Sequence, residues 1–176
     1  MTKITPQGFV EAQVEHFGKR GISCHGACLF WGSDTFYFDQ VVEGDCKQDA
    51  SMTLALLEAL ASKFQKLGLQ SLTIQSDNAS CYTSKIVNVA MSGIFNTYGI
   101  TLKGYIHSES CCGKTQLDGH FGCVGRRLRS YITATGRTVG TAHQIHDAIS
   151  YSGGLKNTEV MVVRLHDSNL ADLRIL

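Results

Sequence analysis

The order of the apolar segments predicts an α/β fold with a mixed sheet flanked by helices. Three observations carry that expectation. Two runs rich in β-branched and aromatic residues, Ile22–Trp31 and Thr35–Val42, flank the turn cluster Gly32-Ser33-Asp34 and read as a β-hairpin. A strongly periodic helical segment follows. After it, short apolar strands alternate with further helices, which implies parallel βαβ crossovers, while the hairpin makes the sheet mixed.

The elements follow in chain order. Asp49 and Ser51 are residues that cap helices, and the apolar residues Met52, Leu56, Leu57, Leu60 and Phe64 recur at helical spacing up to Gly68. Leu69–Ile74 is a short strand broken by Ser76-Asp77-Asn78. Ser84–Tyr98 reads as a second helix closed by Gly99, and Ile100–His107 as another strand. A third helix opens after Gly113 and runs to about Tyr131. Gly140–Tyr151 is a fourth, and Val160–Leu165 a last strand. Hairpin, helix, strand, helix, strand, helix is the order of the ribonuclease H-like fold after its first strand. Flavodoxin-like and other α/β folds share parts of it.

Composition narrows the class. A chain of 176 residues is expected to form one domain, here 1–176, with a core over about 10–135 and a helix–strand extension over about 138–176. With 43% hydrophobic residues, 18% charged residues and a net charge of +1, it can bury a core, and it is neither a disordered tail nor a histone-like basic protein. Seven cysteines at spacings without an obvious disulfide framework point to a reducing, intracellular compartment. That compartment is nuclear in a eukaryotic host and cytoplasmic otherwise. No apolar run reaches the ~20 residues that span a bilayer, so no membrane partner is expected.

Several residues have the chemistry of a phosphoryl-transfer site. Asp77 follows a strand, where ligands bind in open α/β sheets; the same residue type also shapes turns and caps helices. Asp118 falls in the first turns of the third helix, as a metal ligand or as a solvated acid near the helix N-terminus. Divalent cations in such sites need clustered oxygen ligands, and Asp77, Asp118 and Glu109 are the candidates. Lys114 can hold a phosphate at the helix N-terminus or be a solvated loop lysine. His120 is a proton shuttle, a weak ligand or a packed helix residue.

Lys114, Arg126, Arg127, Arg129 and Arg137 form a basic stretch opposed only by Asp118, which suits a nucleic-acid backbone, although arginines spread around a helix cannot all face one ligand. Zinc is not favoured. Cys24 and Cys28 have a usable spacing but lie in an apolar strand, and the adjacent Cys111 and Cys112 share a tetrahedral site poorly.

The stretch Ser76-Asp77-Asn78-Ala79-Ser80-Cys81-Tyr82 resembles the second-aspartate motif of transposases and integrases with a ribonuclease H-like core. The block His107-Ser108-Glu109 followed by Gly113-Lys114 and Asp118-Gly119-His120-Phe121 is similar to one in transposases of the Kyakuja–Dileera–Zisupton and Plavaka-like kind. His16–Gly26 resembles their entry into the second strand, so the likeness covers roughly residues 10–135. It implies a DNA partner, Mg2+ or Mn2+, and strand cleavage or transfer. Asp77 would be the second acidic ligand, Asp118 the third, and Glu109 its rival.

The family's first catalytic aspartate has no counterpart in residues 1–17, which contain Glu11 and Glu15 but no Asp. Either the first strand is shortened over Phe9–Phe17 with Glu15 standing in, or strand and acid lie upstream of Met1. A sheet lacking that strand exposes an edge, which invites a homo-oligomer or another edge-strand partner. The alternative to an enzyme is a degenerate remnant that binds nucleic acid or acts as an interaction domain.

Overall fold

Apolar strand pairs and one-sided helices assemble here into two compact units. The computed structural model describes residues 2–4, 21–44, 49–107 and 116–164. The first unit contains 2–4, 21–44 and 116–164, and the second contains 49–107.

In the first unit, β1 (Thr2–Ile4), β2 (Ile22–Trp31), β3 (Asp34–Glu43) and β6 (Thr158–Arg164) form a sheet in the order β1-β2-β3-β6. The hairpin is the one expected, with a tighter turn. Trp31 pairs with Asp34 across two loop residues, Gly32 and Ser33, and Gly32 has φ +63. A positive φ at that position matches the twist of the flanking strands, and glycine adopts it without strain. β6 lies parallel to β3 from Tyr37↔Thr158 to Glu43↔Arg164. The C-terminal helix–strand segment therefore belongs to this unit's core, and the β3–β6 pair is what makes the sheet mixed. Arg164 and Glu43 close the end of that ladder as an ion pair.

Two helices pack on the sheet: α4 (Gln116–Thr135) and α5 (Ala142–Ser150). His120, Val124, Leu128 and Tyr131 recur along one face of α4 and are buried. Val124, Leu128 and Tyr131 meet Cys24 and Val41 from the sheet and Ile145, Ala148 and Ile149 from α5 in one apolar cluster. α5 begins with a capping box. The Thr141 hydroxyl accepts from the Gln144 amide at 3.2 Å, and the Gln144 side-chain carbonyl accepts from the Thr141 amide at 3.1 Å.

The opposite face of α4 is unusual, because Gly119, Gly122 and Gly125 recur there every three residues. A Cβ at Gly119 would meet nothing, and at Gly122 and Gly125 only arginine tips at 4.0 and 3.8 Å. Glycine in a helix interior costs about 0.5–1 kcal/mol relative to alanine. Gly122→Ala and Gly125→Ala should therefore each raise stability by about that amount in urea titrations.

In the second unit, α1 (Ala50–Lys66) starts on Asp49, whose carboxylate accepts from the Met52 amide at 3.0 Å. It buries the predicted stripe Met52, Leu56, Leu57, Leu60 and Phe64. The strands β4 (Ser71–Ser76) and β5 (Thr101–His107) run parallel as a pair of their own. A single turn α2 (Ser80–Thr83) and the helix α3 (Lys85–Thr97) connect them. α3 buries Val87, Met91 and Phe95, spaced four apart, and packs on α1. The predicted elements lie within about two residues of their expected bounds, except that α4 runs on to Thr135, four residues past Tyr131, and β1 and the single turn α2 were not expected. The possible short strand at Phe9–Phe17, and Glu15 on it, fall outside the described residues.

Candidate functional site

The carboxyl ends of β4 and β5 gather the polar chemistry of the second unit. Parallel strands aim their last residues to one side, and loops leaving that side carry ligands in open α/β folds. β4 ends at Ser76, paired in register with His107 at the end of β5. The Ser76 hydroxyl is 3.0 Å from His107 Nδ1, 3.1 Å from the Tyr105 hydroxyl and 3.0 Å from the Asp77 carbonyl. Tyr105 donates to the Tyr82 carbonyl at 3.1 Å, and its ring meets that of His107 edge-on at 4.3 Å. Burial pushes the Tyr105 and Tyr82 phenols up, so both keep their protons.

Asp77 directly follows, with an exposed side chain. Its carboxylate accepts from the Ala79 amide at 3.2 Å, the two-residue spacing of an Asx turn. That turn aims the chain into α2, where Cys81 is buried. The turn-shaping role weighed for Asp77 is therefore present, and the carboxylate also stands at the strand-end position that a ligand site uses.

The remaining sequence-predicted residues distribute as follows. Asp118 lies in the first turn of α4, exposed, in the first unit. Glu109 and Lys114 lie outside the described residues, as do Cys111 and Cys112. Among the described residues, no three His, Cys, Asp or Glu side chains are placed to hold one metal ion. Of a carboxylate set for a divalent cation, the second unit supplies Asp77, with His107 as a nitrogen donor on the neighbouring strand end. This fits part of the donor set that such a cation needs.

The arginines do diverge around α4. Arg127 donates to the Gly154 carbonyl and ties the helix to the Tyr151–Gly153 turn. Arg126 and Arg129 are exposed three residues apart, on one face. Arg126 reaches back to the Cys123 sulfur at 3.0 Å, and Arg129 to the Gly125 carbonyl at 3.4 Å. Arg137 is exposed beyond the helix end.

One polar cluster went unanticipated. Asp39, fully buried on β3, holds His120 of α4 through both carboxylate oxygens, each 2.9 Å from Nε2. The Tyr37 ring stacks on the imidazole at 4.2 Å and an angle of 3°. Here His120 is a packed helix residue, with Nε2 engaged by the carboxylate. The cluster anchors helix to sheet rather than facing a ligand. Beside it, burial and then the Asp39 charge push the Cys24 thiol up. The available signal was an Asp-Gln pair inside the run Phe36–Val42, polar residues where an interior strand has apolar ones.

No protein-family model, curated protein or solved structure matches the chain. No described helix is long and apolar enough to cross a membrane.

Proposed function

We propose that the chain is the core of a transposase-derived, ribonuclease H-like domain that acts on DNA strands with a divalent cation, Mg2+ or Mn2+. One observation carries the reading: Asp77 stands in a Ser-Asp-Asn turn at the carboxyl end of a parallel strand, with His107 ending the neighbouring strand. A hard carboxylate there reaches a cation without an unpaired charge being buried. In this reading Asp77 would hold a cation whose chemistry is stabilisation of the attacking and leaving oxygens at phosphorus. By the resemblance alone, Asp118 and its rival Glu109 are the further candidate acids. Lys114, Arg126 and Arg129 would neutralise the DNA backbone, and Arg127 is committed to the Gly154 carbonyl.

The test is nicking or strand joining of plasmid DNA by the full chain in Mn2+. Asp77→Asn is expected to lower the rate at least about 100-fold while leaving the fold intact. Equal activity in that variant would remove the reading.

A second reading, a non-catalytic nucleic-acid-binding remnant, is favoured by the exposed pair Arg126 and Arg129. It predicts DNA binding indifferent to Asp77→Asn. The logarithmic salt slope would fall by about 2 when both arginines become alanine, since each phosphate contact contributes about 0.9.

A further inference from the structure

The hydrogen bonds around Ser76 fix more than the shape of the strand ends. Four contacts link this group: Ser76 Oγ with the Asp77 carbonyl, with Tyr105 Oη and with His107 Nδ1, and Tyr105 Oη with the Tyr82 carbonyl. Each contact needs one proton. The two carbonyls bring none, and the two hydroxyls bring one each. With the imidazole proton on Nε2, only two contacts are filled. With it on Nδ1, three are. One added hydrogen bond favours the second arrangement by on the order of tenfold. The chain of donors then runs from His107 Nδ1–H to Ser76 and on to Tyr105 and the Tyr82 carbonyl, or from Ser76 to the Asp77 carbonyl.

From this we infer that neutral His107 carries its proton on Nδ1 and that its bare Nε2 is a nitrogen ligand for a divalent cation at the strand ends, beside Asp77. The inference deepens the proposed site and rests on Asp77 being a cation ligand. An oriented imidazole of this kind, with its other nitrogen anchored by a hydrogen bond, is the usual arrangement around metal-ligating histidines. Ser76 is then a positioning residue. It sets both the tautomer and the ring orientation, and the edge-on Tyr105 ring limits rotation. A donor set mixing imidazole nitrogen with carboxylate oxygen suits a borderline cation better than Mg2+, which prefers oxygen and water. The site therefore takes Mn2+ ahead of Mg2+.

Two measurements on the full chain test this. Long-range 1H–15N correlation spectra of the metal-free wild type report the His107 tautomer directly. Calorimetric titration with Mn2+ and with Mg2+ reports the ligand. The expected results are the Nδ1–H form, a loss of Mn2+ affinity of at least about tenfold in His107→Gln with little change for Mg2+, and a loss of about tenfold in Ser76→Ala. Ser76→Ala keeps the imidazole and serves as the second variant should His107→Gln unfold the strand ends.

An Nε2–H tautomer in the wild type, absence of Mn2+ binding, or unchanged Mn2+ affinity in His107→Gln would overturn the inference. Loss of Mn2+ in Asp77→Asn alone would overturn it and leave the functional reading standing. Mn2+ binding that needs both residues, without any DNA strand chemistry, would support it and remove that reading.

Discussion

Asp39→Ala is expected to cost about 3–5 kcal/mol of folding stability, the effect of removing one partner from a buried carboxylate–imidazole pair. Asp39 is fully buried, and both of its carboxylate oxygens meet His120. Removing the acid leaves the imidazole, 6% exposed, without the carboxylate that compensates its burial. It also detaches α4 from the middle of β3. Against a typical total of 5–15 kcal/mol, such a loss is a large share. His120→Ala should cost a similar amount, by stranding the carboxylate.

The double substitution Asp39→Leu with His120→Leu should be less harmful than the sum of the single changes, because no charge is then left buried. Urea denaturation of the four proteins in a cycle measures the coupling. Additive losses would mean that the two side chains act independently.

Phe95→Ala is the second large effect, also about 3–5 kcal/mol, and its origin is a cavity rather than a charge. Phe95 is fully buried and ends the α3 stripe begun by Val87 and Met91. That stripe is what packs α3 on α1. Alanine there removes most of a ring's contacts from a fully buried site. The control on the same helix is Val89→Ala, 75% exposed, which should change stability by less than about 0.5 kcal/mol. Chemical denaturation compares them; similar midpoints would mean that the α3 stripe does not hold the unit together.

These two residues mark what the chain discloses locally and what it hides. The Phe95 stripe, the α1 stripe, the Asp49 cap and the hairpin are written in spacings of one to four residues, so they were legible. The burial of Asp39 was not. It follows from β6 covering one edge of β3 and α4 lying on its face, and both arrive from distant parts of the chain.

The candidate site divides in the same way. Asp77 could be placed at a strand end from the Ser-Asp-Asn turn alone. Its neighbourhood could not, because it depends on the register of β4 against β5. That register shifts between Leu72 and Thr73, which pair with Leu102 and Gly104. Without the shift Ser76 would oppose Ile106, and His107 would have no hydroxyl to orient it. A one-residue slip in a strand pair is invisible to composition and decisive for which side chains meet.

The β3–β6 ladder has a last consequence, for the order in which the protein is made. The Arg164–Glu43 pair that closes this ladder joins residues 121 apart. At about 5–20 residues per second, the ribosome leaves β3 without its parallel neighbour for roughly 6–24 s. During that interval the hairpin presents a bare strand edge to other nascent chains, the geometry that seeds aggregation. Residues 49–107 emerge in the meantime with their α1, α3 and β4–β5 partners all local to one another. Vectorial synthesis therefore lets the middle of the chain fold first and the flanking sheet last, and makes the waiting hairpin the segment for a chaperone to shield.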